Sequence, residues 1–467
     1  MKYRLPELEV PADNPFKHDA LERKPLVEFL ATLIARLEGP FVLALDSPWG
    51  TGKTTIVKML QAKLEVNQFQ CIYFNAWKVD YVIDPLVALV SALDDIRLTD
   101  EGAESAFRGH LKTAKKITSA VAKRAVVAGV KVATLGILDI EEDLEKMAAD
   151  AAGEVAGNLV DAFQKEKQAL EKFRCEVEKA VKQLKEAGKK ETLVFFIDEL
   201  DRCRPTFAIE MLERIKHLFD VPNIVFVLSV DKSQLEASTA AVYGEKINAP
   251  EYLRRFIDLE YGIPMIHSKK FTKTLLTRFE LDSEFFKRNG EQTRYDKDNF
   301  ADTFTALADV HDMSLRARER CIARLCVVME QTPPNHYLDP FLLALLMVLR
   351  LKNAILFRRL CAGIEGPEEV MQYLSGLPGG QRLVAERSGL LIEAYLIAAD
   401  PNKERADARR LALTRQADEK DVSDPPTVKS RARELENMRR HIFSGFRDSV
   451  GLAHVASKID LAAAVRD

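Results

Sequence analysis

The chain has 467 residues, of which 30% are charged, yet its net charge is only −3. That length leaves room for two or three domains with a sizeable core, and the balanced charge gives no specific signal for nucleic acid. The six cysteines are scattered, with no C-x-x-C pair and no ligand set at zinc spacing. The N-terminal stretch Met1–Glu7 has no apolar signal-peptide centre, so a reducing, cytoplasmic setting is expected.

In chain order, the first strong signal is the apolar run Phe41-Val42-Leu43-Ala44-Leu45, followed by Ser47-Pro48-Trp49-Gly50-Thr51-Gly52-Lys53-Thr54-Thr55 and then by Ile56-Val57-x-Met59-Leu60 at helical spacing. This is a strand, a phosphate-binding loop and a helix. Small residues let backbone N–H groups converge on phosphates, Lys53 reaches the β/γ-phosphates, and the Thr54 hydroxyl is a ligand for Mg²⁺. The helix opening at Lys53 adds the positive end of its dipole. The pattern G-x-x-x-x-G-K-[ST] is met except at its first position, where Ser47 replaces Gly.

Three further apolar runs read as strands covered on both faces: Cys71–Asn75, Leu193–Asp198 and Ile224–Ser229. A helix spaced as Ile209, Leu212, Ile215 and Phe219 joins the last two, so the fold class expected is α/β, a three-layer parallel-sheet core. Residues from about 85 to 190 read instead as a helical insertion, rich in Ala, Glu, Lys and Leu towards its end. Within it, Ala120–Leu138 is apolar but interrupted by Lys123, Arg124 and Lys131. A central Lys costs about 2.5–3.5 kcal/mol on membrane insertion, which favours a buried or amphipathic helix over a spanning one and leaves membrane contact as a minor option.

After about Ile266 the strands stop. Phe271–Phe279, Met313–Glu330, Pro340–Leu360 and Ser388–Ala399 have helical spacing, with breakers at Thr332–Asn335 and Gly376–Gly380. Pro401 to about Lys429 is polar and reads as containing an exposed linker, after which Arg431–Ala464 returns to helical spacing. The expected organisation is a nucleotide-binding domain over 1–265, a helical domain over 266–400, and a linker with a terminal helix over 401–467.

The third strand ends in Phe196-Ile197-Asp198-Glu199-Leu200-Asp201-Arg202-Cys203. Apolar residues followed by an acid form a Walker B arrangement: Asp198 would hold Mg²⁺, Glu199 would polarise the attacking water, and Asp201 is a second acid that could share either role. The fourth strand ends in Ser229-Val230-Asp231; Ser229 either senses the γ-phosphate or simply ends the strand at a turn.

These segments together resemble the KAP family of P-loop NTPases, whose namesakes are an animal ankyrin-repeat membrane scaffold and a plasmid-encoded phage-exclusion protein. Trp49-Gly50-Thr51-Gly52-Lys53-Thr54 matches the family's loop, Phe74-Asn75-Ala76-Trp77 its F-N-A-W strand end, and Phe195–Cys203 its extended Walker B motif. Asp19-Ala20-Leu21-Glu22-Arg23 resembles a short motif that lies near the adenine in related ATPases, which implies a nucleotide contact for Arg23. Tyr252-Leu253-Arg254-Arg255-Phe256-Ile257 is similar to the family's Y-L-E-K-I-I segment. There Arg255 would stabilise γ-phosphoryl charge in cis or across a subunit boundary, or else form a solvated pair with Arg254. Arg316 and Arg318 are similar to the sensor arginines of related helical lids, although Leu315, Ile322 and Leu325 equally describe an amphipathic helix.

The resemblance implies ATP with Mg²⁺, catalysis by Lys53, Glu199 and Arg255, and a nucleotide-driven switch or assembly factor in phage defence or a related bacterial conflict. The alternative is a nucleotide-binding scaffold with little turnover, in either case with self-association or a protein partner through the helical regions.

Overall fold

A computed structural model describes residues 5–6, 8–37, 39–82, 84–127, 155–264, 269–281, 295–333, 338–417, 430–438 and 452–464. By the density of internal contacts the chain divides into two compact units, Leu8–Pro264, and Met265–Asp467 together with Met1–Glu7.

The first unit is built on five parallel strands, β1 (Phe41–Asp46), β2 (Gln70–Asn75), β3 (Leu193–Asp198), β4 (Ile224–Val230) and β5 (Leu259–Gly262), in the order β2-β3-β4-β1-β5. Every residue of β3 and β4 is buried, as continuous apolar runs require when both faces of a sheet are covered. The alternation of side chains sorts these strands into two half-cores. Leu43, Leu45, Val194, Phe196, Val225 and Val227 face helices α1 (Lys24–Ile34) and α2 (Lys53–Val66). Val42, Phe74, Phe195, Ile197, Phe226 and Leu228 face the other way.

That second face is covered by α3 (Pro85–Ala92), α4 (Glu101–Val127), α5 (Val155–Glu186) and α6 (Pro205–Leu218). The inserted helices are therefore part of the core. Phe107, Leu111 and Ala114 of α4, and Phe173, Val177 and Leu184 of α5, recur at helical spacing and are all buried in the same cluster as the sheet. Burying each of the larger side chains contributes roughly 1.5–3 kcal/mol, so the insertion is held by its packing. Ala120–Leu138 falls partly on the end of α4; from residue 128 it lies outside the described residues.

After β4 come α7 (Lys232–Tyr243) and the short α8 (Ala249–Leu253), which return the chain to β5. β5 is an exposed edge strand of four residues, Leu-Glu-Tyr-Gly, and no apolar run announces it. Its place is set by backbone pairing: the N–H of Asp258 donates to the carbonyl of Val42 and that of Ile263 to the carbonyl of Asp46.

In the second unit α9 (Lys269–Arg278), α10 (Asp296–Val310) and α11 (Leu315–Gln331) contribute to a core centred on α12 (Pro340–Lys352). Phe341 through Leu349 are all buried, so α12 is apolar on all sides. The helical reading over Pro340–Leu360 resolves into two helices. Asn353 closes α12 and caps α13 (Ala354–Cys361), accepting from the N–H of Leu356 at 3.0 Å. Leu5 is buried in this helical core and Pro6 accepts from Arg278 at 3.1 Å, so the first residues belong with the second unit and not with the first.

The polar stretch expected to contain a linker is helical over its first half, α14 (Lys403–Ala417). Only Leu413 of this helix is buried. Ionic contacts hold it: Arg405 pairs with Asp400 at 2.7 Å, and Arg409 with the buried Glu393 at 3.0 Å. Residues 418–429 lie outside the described residues.

Candidate functional site

The C-terminal ends of β2, β3 and β4 form one polar row. Asn75 pairs in register with Asp198, and Asp198 with Ser229, which in turn lies opposite Leu45 of β1. Alternation from Val194 and Phe196 turns Asp198 towards the face that α2 covers, and α2 begins with Lys53 and Thr54. The loop between β1 and α2 therefore opens over this row.

Positive φ angles at Gly50 (81°) and Gly52 (89°) let the loop turn sharply enough to start α2 with Gly52 as its N-cap. Ser47, in the place of the usual first glycine, is buried. Its hydroxyl donates to Thr51 Oγ1 at 2.7 Å, and Thr51 donates to the carbonyl of Pro48 at 2.9 Å. The substitution thus adds a hydroxyl chain that braces the loop from inside. Thr55 follows in α2, its N–H donating to the carbonyl of Gly52.

Lys53 donates to the carbonyl of Ser47 and, at 3.4 Å, to that of Pro48, and lies 3.8 Å from Asp201. Burial pulls its ammonium below the ordinary lysine range, against Asp201, Asp231, Asp198 and Asp46, which all favour the charge. Asp201 is also buried, and burial pushes its carboxyl above the usual carboxylate range, opposed by Lys53 and by hydrogen bonds from the Trp49 indole and the Asp231 N–H. Those two donors meet the same oxygen, Oδ2, at 2.8 and 2.7 Å.

Asp198 and Glu199 have different partners. Asp198 Oδ2 accepts from Thr54 Oγ1 at 2.7 Å and from the Tyr73 hydroxyl at 2.9 Å. Glu199 takes a left-handed conformation (φ 61°), a strain of about 1–3 kcal/mol for a non-glycine residue. Its Oε2 accepts from Asn75 Nδ2 at 2.8 Å, and its Oε1 pairs with Arg202. The Arg202 guanidinium also lies 5.9 Å from the centre of the Trp49 ring. Loop, β2 end and acidic segment are thus tied by named contacts: Trp49 to Asp201 and Arg202, Arg202 to Glu199, Glu199 to Asn75.

Ser229 Oγ is fully buried with no hydrogen-bond partner among the described residues. Cys203 is buried, and burial pushes its thiol up to about 12, which leaves it protonated and unreactive. Asn75 and Arg202 fall in the family motifs Phe74–Trp77 and Phe195–Cys203 without a role assigned to them, and Tyr73 carries no signal at all. A period of two from Cys71 puts Tyr73 and Asn75 on the face that carries Asp198.

Other expected residues lie apart from this network. Arg23, at the start of α1, is buried and donates to the carbonyl of Pro264 at 2.8 Å, with no hydrogen bond to the loop. Arg254 pairs with Glu251 at 2.8 Å. Arg255 is exposed over the Tyr252 ring and makes no side-chain hydrogen bond or ion pair among the described residues. Arg318 is buried, bound to Asp309 at 2.6 Å and to the carbonyl of Met313 at 3.0 Å, so it braces the helical core.

A parallel sheet with a lysine-bearing loop between β1 and α2 and an acid at the tip of β3 defines a P-loop NTPase. The chain belongs to the KAP family: the KAP family P-loop domain matches residues 23–331, more than half its length. That match runs beyond the expected boundary at 265 and takes in α9, α10 and α11. No curated protein gave a match. Among the described residues no helix is long and apolar enough to cross a membrane.

Proposed function

We propose that the chain binds ATP with Mg²⁺ at the polar edge of the sheet and hydrolyses it. The observation that carries this reading is the 2.7 Å hydrogen bond between Thr54 Oγ1 and Asp198 Oδ2, groups 144 residues apart in the chain. A hydroxyl and a carboxylate oxygen brought together beside a phosphate loop are the hard donors Mg²⁺ prefers, and such ions take their remaining ligands from phosphate and water. When bound, Mg²⁺ would neutralise charge on the β- and γ-phosphates.

Loop amides between Trp49 and Thr54, with the Lys53 ammonium, would bind the triphosphate. Lys53 now lies against loop carbonyls and Asp201, so it is already aimed into the loop. Thr54 and Asp198 would hold the metal. Asp201 is engaged by Trp49, Asp231 and Lys53, which suits an anchor for the loop better than a metal ligand. Glu199 would accept the proton of the attacking water. Ser229, a buried hydroxyl without a partner in the same row, would contact the γ-phosphate. ATP is preferred over GTP on the family resemblance.

Equilibrium binding tests the first step: Mg·ATP should bind wild-type protein, and Lys53→Ala should lose most of that affinity. Equal affinity in the two proteins would contradict the assignment. On the same resemblance, hydrolysis serves a nucleotide-driven change of assembly, with the exposed Arg255 acting on the nucleotide of a second copy. Size-exclusion chromatography with light scattering should then give different masses in ADP and in a non-hydrolysable ATP analogue. One unchanged mass in both would remove the switch and leave a nucleotide-binding scaffold.

A further inference from the structure

We infer that β2 is the positioning strand of this site: Tyr73 fixes the metal-binding carboxylate Asp198, and Asn75 aims the base Glu199. The inference rests on the ATPase reading and extends it to two residues that act through the acids they bind.

Three observations carry it. First, Tyr73 and Asn75 are two residues apart on a strand and so project to one face, the face on which β3 presents Asp198. Each donates a hydrogen bond to a different acid, Tyr73 to Asp198 at 2.9 Å and Asn75 to Glu199 at 2.8 Å. Second, neither donor is free to turn away. The Tyr73 ring packs against the half-core under α2, which holds its hydroxyl against Asp198. The Asn75 carbonyl oxygen accepts from the N–H of Lys78 at 3.1 Å, capping the turn at Ala76–Val79. That bond leaves the Asn75 amide nitrogen pointing at Glu199. Third, the acids need such help. Glu199 sits in a left-handed conformation with its other oxygen on Arg202. Asp198 shares one oxygen between Tyr73 and Thr54.

Two substitutions separate positioning from structure. Tyr73→Phe keeps the ring and its packing and removes only the donor. Asn75→Asp keeps the acceptor that caps the turn and replaces the donor to Glu199 with an acceptor of like charge. For Tyr73→Phe, calorimetric titration of ATP at graded Mg²⁺ should give a half-saturating Mg²⁺ concentration raised about 10-fold or more, with metal-free ATP affinity unchanged. An unchanged Mg²⁺ dependence would overturn that half. For Asn75→Asp, kcat should fall about 10- to 100-fold with KM within two-fold, in a protein whose thermal melt stays cooperative. Wild-type kcat, or a change in KM alone, would overturn the second half.

The outcomes stay distinguishable from failure of the ATPase reading. A wild-type protein that binds Mg·ATP without turnover removes the role of Asn75 together with hydrolysis, while the Tyr73 half is still decided by the binding titration. A wild-type protein that binds no ATP removes both.

Discussion

The sheet edge of the first unit and the helical core of the second both bury charge, but they satisfy it over different distances in the chain. In the helical unit several partners are local, although Asp339 also meets Tyr395 and the buried Glu393 pairs with Arg409 and Arg431. Asp339 accepts from the N–H groups of Phe341 and Leu342, the first residues of the helix it caps, and Arg318 binds Asp309 and Met313. At the sheet edge the partners are remote: Thr54 with Asp198, Trp49 with Asp201, Asn75 with Glu199. Local closure needs nothing beyond a helix end and serves stability. Remote polar groups that converge on the ends of three parallel strands need a whole fold to bring them together, and they mark the place where a ligand is handled.

The sharpest way to break this contrast is to remove one acid from each region. Asp201→Ala leaves the buried Lys53 without its nearest counter-charge and the Trp49 indole without its acceptor. Loss of one partner of a buried pair costs about 3–5 kcal/mol. Chemical denaturation should show a loss near that range, and nucleotide binding should fall with it. Asp309→Ala removes a more exposed acid, costs about 1–3 kcal/mol, and should leave nucleotide affinity unchanged. Equal effects on binding would erase the distinction.

A smaller effect separates the regions by pH. Burial pushes Asp339 up to about 7, so across the interval from the ordinary aspartate range to about 7 the folded state holds a proton that the unfolded state has released. Stability of the helical unit therefore falls as pH rises through that interval, and Asp339→Asn should flatten the slope in thermal melts. A slope that survives the substitution would assign it to another group.

The smallest expected change is spectroscopic. The chain has two tryptophans, so Trp77→Phe leaves Trp49 as the sole reporter. Because burial raises Asp201, its protonation should alter Trp49 emission at a pH above the ordinary aspartate value. A transition at or below that value would contradict the burial of the pair.

Much of this site is legible in the residues because its two halves are local runs. Leu43–Thr54 and Phe195–Asp201 each pack a strand, a turn and the reacting groups into a dozen residues or fewer. What escapes is whatever depends on a neighbour. Tyr73 and Asn75 matter because β2 lies beside β3, a pairing that no local pattern encodes. β5 is held by backbone bonds and carries no apolar run. The helix at Lys403–Ala417 is anchored by Arg405 and Arg409 with a single buried leucine, so apolar periodicity could not report it. The pairing of Arg318 with Asp309 likewise depends on how α10 and α11 meet, which helical spacing alone does not report.

The most direct test of the account is steady-state Mg·ATP turnover by wild-type protein and Glu199→Gln, measured beside Lys53→Ala as the background. Removing a general base costs about 10²–10⁴ in rate. The account predicts wild-type turnover clearly above the Lys53→Ala background, and a Glu199→Gln protein that still binds ATP but loses at least 100-fold in kcat. Wild-type turnover equal to the Lys53→Ala background, or a Glu199→Gln protein as active as wild type, would contradict it.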